Sequence, residues 1–166
     1  MNLHLTPRRG YLTGFLACAG LLAFSLYLQY YEYQDPCPLC ILQRVAFIAL
    51  MLVFLAGALH GPRLIGARVY STLLVMISIT GAAIATRHVW LQHLPKDKVP
   101  ECGPGLTYML NKFPLFEAFE KVFLGSGECA EVGWTLFYLS IAGWSLVWFV
   151  ALGVFAACIA LTARKQ

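Results

Sequence analysis

Four long apolar segments alternate with polar stretches along the chain. They cover about residues 11–31, 41–59, 69–91 and 134–163. A helix that crosses a bilayer needs about 20 mostly apolar residues, and each segment meets that length. The last segment is longer than a bilayer requires, so we expect its Trp134 end to lie in the interface or the helix to tilt. The pattern predicts an all-α, four-helix transmembrane bundle forming a single integral membrane domain over 1–166.

The composition agrees with this pattern and excludes several classes of protein. Hydrophobic residues make up 60% of the chain and charged residues only 12%. Soluble domains carry about 25% charged residues, so a soluble enzyme, a disordered tail and a nucleic-acid-binding domain all fit poorly. We therefore expect the lipid bilayer, and no nucleic acid, as a partner.

The distribution of basic residues predicts the orientation of the helices. Six Lys and Arg residues lie on each side of the predicted bundle, but those in 1–10, 60–68 and 163–166 are concentrated in short segments without acidic residues. Short loops rich in Lys and Arg stay in the cytoplasm. Both termini are therefore expected in the cytoplasm, and the loops 32–40 and 92–133 outside. The first apolar run is longer than a signal sequence and lacks a cleavage site, so it is interpreted as a retained anchor.

One element is predicted within the second outer loop. After Pro114, apolar residues fall on one arc of a helix and charged residues on the other, and Gly125 ends the run. The apolar arc consists of Leu115, Phe116, Ala118, Phe119, Val122 and Phe123. This pattern predicts a short amphipathic helix in the membrane interface. Packing of the same helix against other loop residues is the alternative.

Four cysteines lie in or beside the outer loops, and two of them form a CxxC motif, Cys37-Pro-Leu-Cys40, just before the second span. At a helix N-terminus the helix dipole and free N–H groups stabilise a thiolate. Arg44 lies one turn further along the same face, where a guanidinium would stabilise a thiolate or bind a carbonyl group. Alternatively, Arg44 extends to the outer headgroups.

The cysteines are compatible with several kinds of chemistry, which their spacing helps to distinguish. A c-type haem motif needs a histidine after the second cysteine, where this chain has Ile41. The long separations from Cys40 to Cys102 and from Cys102 to Cys129 disfavour a four-thiolate zinc site. Two structural disulfides are possible outside the cytoplasm, although a CxxC ring constrains almost no chain.

A redox relay is the other interpretation, with Cys102 and Cys129 as a second pair in the loop. Its electron acceptor would be a quinone, because quinones dissolve in the bilayer and the chain has no nucleotide-binding glycine motif. Several polar residues lie at a suitable depth in the membrane to contact the quinone carbonyl groups. They are Arg44, Gln43, Arg87, His88, Gln92 and His93.

These residues resemble the disulfide bond formation protein B (DsbB) family of quinone-linked thiol oxidases in the bacterial inner membrane. The resemblance rests on CPLCILQR at 37–44, RHVWLQHLP at 87–95, Cys102, GSGECA at 125–130 and Trp134, which occur in the family's order. Gln43 departs from members that have glutamate there, which leaves the role of this position open.

The resemblance implies a reaction and a role for each residue. A reduced periplasmic thioredoxin-fold protein of the DsbA type would attack the Cys102–Cys129 disulfide at Cys102. Cys129 would then exchange with Cys37 and release Cys40 as a thiolate that donates electrons to quinone, either ubiquinone or menaquinone. Arg44 would bind the thiolate and the quinone oxygen, with His88 as a weaker second contact. A DsbA-type partner is a strong oxidant, so its reoxidation needs a high-potential acceptor, which fits quinone and excludes nicotinamide.

Two rival functions stay open from the sequence. The first is a non-enzymatic four-span scaffold whose loop disulfides only shape a binding surface. The second is a metal-binding membrane protein with free thiols. The remaining cysteines, Cys18 and Cys158, lie inside apolar runs and are expected to fill space between packed helices.

Overall fold

The computed structural model describes residues 7–33, 36–95 and 127–163, and these form four long helices. Helix α1 spans Pro7–Tyr31, α2 spans Pro38–His60, α3 spans Leu64–Gln92 and α4 spans Ile141–Ala163. A 3₁₀ turn at Gly127–Cys129 and two short antiparallel strands, β1 (Thr135–Leu136) and β2 (Leu139–Ser140), precede α4.

The helices form a bundle in which consecutive helices are neighbours. Helix α1 packs on α2, α2 on α3 and α3 on α4, while α4 also contacts α1 and so closes the bundle. Inside it, Phe47 of α2 stacks on Phe149 of α4 with ring centroids 4.1 Å apart. Near the end of the bundle where α1 and α3 begin, the buried Tyr11 hydroxyl donates to the Ala67 carbonyl oxygen at 3.2 Å and links α1 to α3.

The outer surface of the bundle is apolar, as in a protein that is solvated by lipid. Large side chains are exposed along the helices, among them Leu16, Ile65, Val69, Met76 and Ile79. All four helices are long and apolar enough to cross a membrane. The predicted four-helix transmembrane bundle is confirmed, and the chain is a multi-pass membrane protein.

The fourth helix begins at Ile141 rather than at Trp134, where the apolar segment begins. Residues between these positions form the β1–β2 hairpin, whose turn residues Phe137 and Tyr138 have φ of 51° and 63°. Positive φ at both turn residues is what a two-residue hairpin of this type requires. The predicted 134–163 segment therefore divides into a hairpin and a helix of ordinary membrane-spanning length.

The amphipathic helix predicted after Pro114 lies outside the described residues, as does Cys102. The two remaining cysteines differ from each other. Cys18 is fully buried in the bundle core, as expected for a packing residue. Cys158 is exposed on the outer face of α4, so the expectation that it fills space between helices is wrong.

Candidate active site

The CxxC motif forms the N-terminus of α2. Cys37 is the N-cap residue, its sulfur accepts a hydrogen bond from the backbone N–H of Cys40 at 3.4 Å, and Pro38 occupies the first helical turn. A proline suits this position because its missing N–H would have no partner there. The Cys37 thiol donates to the Cys40 sulfur over 3.1 Å, and no disulfide joins the two. The local sequence thus places two sulfurs side by side at the end of a helix.

Cys129 joins this pair from a distant part of the chain. The 3₁₀ turn that ends at Cys129 packs beside α2 and α3, and the residue is fully buried. It lies in a small apolar cluster with Leu39, Ile84 and Leu91. Its side chain hydrogen-bonds with Cys37. Of the four cysteines predicted to act together, the structure brings three together, and Cys102 lies outside the described residues.

The protonation of Cys37 reflects these neighbours. The hydrogen bond with Cys129 lowers the pKa of Cys37, but the hydrogen bond to Cys40, burial and the charge of Cys40 outweigh it and raise the pKa to about 12. Cys37 is therefore a thiol at neutral pH. This agrees with its place as the donor in the bond to Cys40.

His88, predicted as a secondary contact, lies directly beside the sulfurs. It comes from the last turns of α3, is only 3% exposed, and its Nε2 is 3.7 Å from the Cys37 sulfur. The other ring nitrogen, Nδ1, accepts from the side-chain amide of Gln43 at 3.2 Å. Gln43 is equally buried. No local pattern predicts the contact between Gln43 and His88, because it joins two helices across 45 positions of the chain.

Arg44 also lies at the site and is held by α1. Its Nε donates to Ser25 Oγ at 2.7 Å, Nη1 to Gln29 Oε1 at 2.5 Å and Nη2 to the Ser25 carbonyl oxygen at 3.1 Å. Arg44 is close enough to Cys40 to interact with it electrostatically. The alternative that Arg44 extends to the outer headgroups is not what the structure shows, because its three nitrogens bond within the bundle.

A cavity of about 330 Å³ opens beside these residues. Cys37, Cys40, Gln43, Arg44 and His88 lie along it, so the polar groups converge on one region. The other lining residues are mainly apolar or aromatic, including Leu21, Phe24, Leu28, Phe47, Trp134, Trp144 and Trp148. An apolar cavity with a few convergent polar groups is the usual form of a small-molecule site.

The β1–β2 hairpin supplies part of the cavity lining, which the sequence did not predict. Trp144 Nε1 donates to the Leu136 carbonyl oxygen at 3.0 Å, and Ser140 Oγ donates to Gln92 Oε1 at 2.6 Å. Leu136, Ser140 and Gln92 all line the cavity. No turn signal marks this hairpin, since Phe137 and Tyr138 are not the glycine or asparagine that such turns favour.

Two other residues considered from the sequence lie elsewhere. Arg87 places its guanidinium 4.3 Å from the centre of the Trp90 ring. His93 is exposed, and its Nδ1 contacts the Val89 carbonyl oxygen at 2.8 Å. Neither lines the cavity. Of the polar residues considered from the sequence, Gln43, Arg44, His88 and Gln92 do line it.

Comparison with known proteins gives a consistent result. A sequence model of the family described as "Disulfide bond formation protein DsbB" matches residues 7–159. A protein named disulfide bond formation protein B from Hahella chejuensis is 54% identical over 146 residues, which are 88% of each chain. One of the same name from Nitrosococcus oceani is 52% identical over 152 residues, covering 92% of this chain and 90% of the relative. The similarity therefore extends over all four helices and the segment that carries Cys129.

Proposed function

Because this chain belongs to the disulfide bond formation protein DsbB family, we propose that it reoxidises a DsbA-like dithiol protein and passes two electrons to membrane quinone. The family membership itself supports a disulfide-forming oxidoreductase. The quinone, the partner and the role of each cysteine are the parts proposed here. The observation that carries them is a single cavity that is lined by the CxxC residues, Arg44 and His88.

In this proposal the thiol steps take the order that membership of the family implies. In the oxidised protein, a thiolate of the reduced partner attacks Cys102 of a Cys102–Cys129 disulfide, which forms a mixed disulfide and releases Cys129 as a thiolate. Cys129 then attacks Cys37 of an oxidised Cys37–Cys40 pair, so that a Cys37–Cys129 disulfide forms and Cys40 leaves as a thiolate. This step is supported by the hydrogen bond between Cys129 and Cys37, which puts the attacking and attacked sulfurs in contact. Cys40 is then left facing the cavity. The second thiolate of the partner displaces Cys102, so the partner leaves with a disulfide, and Cys102 recloses onto Cys129 and releases Cys37. Cys37 and Cys40 re-form their disulfide as two electrons and two protons pass to quinone.

The cavity residues suit a quinone. Its volume falls at the lower end of the range of ligand pockets, about 300–1,000 Å³, which suits a single ring more than a long tail. The aromatic and aliphatic lining offers an apolar surface, and Arg44, held in place by α1, offers donors to a carbonyl oxygen. A bound quinone would accept two electrons and two protons. In this proposal Arg44 is the main polar contact to the quinone, and His88 is the secondary one.

The location of the protein is part of the same proposal. The N-terminus of α2, the C-terminus of α3 and Cys129 lie at one end of the bundle. The concentration of basic residues near the other end favours the bacterial inner membrane with both termini cytoplasmic. The cysteine loops then face the periplasm, where disulfides form and a DsbA-like partner is available.

The function can be tested with the purified protein in detergent. We expect quinone absorbance to fall when reduced DsbA-like protein is added, with ubiquinone and menaquinone analogues assayed in parallel. Cys102→Ala and Cys40→Ser should each abolish this reaction, and Cys158→Ser, a matched control on the outer face of α4, should retain it.

The same assay separates the scaffold from the oxidase. If the protein is only a scaffold, the parent protein should reduce quinone at the background rate, and oxidation of the partner should not depend on Cys40. Either result with all quinone analogues and several DsbA-like partners would overturn the proposed function.

A further inference from the structure

His88 contacts both outer-loop segments that carry the reacting sulfurs. Its Nε2 is 3.7 Å from the Cys37 sulfur, and the ring also hydrogen-bonds with the backbone of Cys129. His88, Cys37 and Cys129 are all buried, so these contacts are shielded from water. One imidazole thus joins the 3₁₀ turn of Cys129 to the N-terminus of α2. A residue whose only task was to contact quinone would not need either bond.

Gln43 determines which ring nitrogen of His88 can donate. Its side-chain amide nitrogen lies 3.2 Å from Nδ1, and an amide N–H₂ group is a donor. Nδ1 must then accept, so in the neutral ring the proton lies on Nε2. Nε2 is the nitrogen that faces Cys37. Gln43 therefore presents a donor, rather than a lone pair, to the sulfur.

We propose that His88 aligns Cys129 with Cys37 for their disulfide exchange, and that Gln43 is the positioning residue that fixes the His88 ring for this task. The inference deepens the proposed function, on which it rests, and assigns a role to the position that the sequence left open. In the exchange, the Cys37–Cys40 bond breaks, the Cys37–Cys129 bond forms, and Cys40 leaves with the electron pair. The Nε2–H group holds Cys37 in place, and its proton is not transferred in the exchange.

The Cys102→Ala protein isolates this exchange from the partner and the quinone. With Cys37–Cys40 oxidised, Cys129 is the only loop thiol, and its attack on Cys37 releases Cys40. Alkylation and mass spectrometry then report the rate at which Cys40 becomes reactive. No quinone and no partner are present, so failure of this step is distinguishable from failure of quinone reduction.

Variants at position 43 test the positioning role. Gln43→Met keeps the size of the side chain and removes the amide, and we expect exchange about tenfold slower, the factor expected from one lost hydrogen bond. Gln43→Glu should restore most of the rate, because a carboxylate favours the doubly protonated ring, which keeps its Nε2–H donor. Thr86→Val, which loses a side-chain hydrogen bond on the exposed face of the helix that carries His88, should exchange at the parent rate.

The protonation of the ring gives a readout that a purely structural role would not change. Nitrogen NMR of the labelled parent protein should show His88 protonated at Nε2 and unprotonated at Nδ1, and Gln43→Met should lose this preference. A proton on Nδ1 in the parent protein would overturn the inference. So would a folded Gln43→Met protein that exchanges at the parent rate, or a Thr86→Val protein that is slowed equally. If Gln43→Met does not fold, the parent spectrum still decides.

Discussion

Replacing Arg44 with alanine removes the guanidinium that lines the cavity beside Cys40. A hydrogen bond from a charged donor contributes about 1.5–3 kcal/mol. Since about 1.4 kcal/mol corresponds to a factor of ten, we expect the apparent KM for quinone to rise by about 10- to 150-fold. The KM for the dithiol partner should change by less than about twofold, because the partner meets cysteine sulfurs and not the cavity.

The same substitution also removes the hydrogen bonds between α2 and α1, and their loss lowers the stability of the bundle. Arg44 makes three hydrogen bonds to Ser25 and Gln29. Hydrogen bonds between membrane helices average about 0.6 kcal/mol, so the three together stabilise the bundle by about 2 kcal/mol. Arg44→Ala should therefore lower the thermal stability as well as the affinity for quinone.

Gln29→Leu separates the two effects. It breaks one of the three bonds, and Gln29 does not line the cavity. We expect a stability loss of about 0.6 kcal/mol and a KM for quinone within about threefold of the parent value. Arg44→Lys keeps the charge but cannot reproduce the forked geometry, so its KM should lie between those of the parent and Arg44→Ala.

The assay measures steady-state quinone reduction, first with the quinone concentration varied at a fixed partner concentration and then with the partner varied at fixed quinone. Thermal melts of each variant measure the stability. Equal kinetics in Arg44→Ala and the parent would refute the placement of quinone beside Arg44. A rise of the KM for quinone in Gln29→Leu as large as that in Arg44→Ala would show that bundle stability, and not the guanidinium, controls quinone binding.

Two further predictions follow from single contacts. In the reduced protein, alkylation of Cys37 should stay slow up to about pH 10, because its pKa is raised to about 12. Cys40→Ala should move the increase in alkylation rate to lower pH. An increase in the alkylation rate of the parent protein near the ordinary cysteine pKa would contradict this prediction. Gly81→Ala should lower thermal stability by about 1–3 kcal/mol, because the new methyl group would lie 2.3 Å from a ring carbon of Phe149. Gly20→Ala, where the methyl group meets open space, is the control and should not destabilise the protein.

The helices could be predicted from the sequence because their lengths follow from the bilayer and their composition from lipid contact. The start of α4 could not be predicted in this way, since Trp134, Leu136 and Leu139 continue the apolar pattern that the helix shows. The hairpin depends instead on positive φ at Phe137 and Tyr138, residue types that do not signal such a turn.

The site was predictable as far as local spacing allowed. The CxxC motif, its place at a helix N-terminus and Arg44 one turn later all follow from positions close together in the chain. The partners of Arg44 on α1 and the approach of His88 to Cys37 depend on how the helices rotate against each other. No local pattern encodes that rotation, so these contacts came from the structure.

The number of quinones reduced for each disulfide formed measures the proposed reaction itself. Reduced DsbA-like protein would be mixed with the enzyme and excess quinone without oxygen, and partner disulfide and reduced quinone would be counted in the same sample. We expect one quinone to be reduced for each disulfide formed in the partner, since each transfer moves two electrons. Disulfides that appear without an equal loss of oxidised quinone would contradict it.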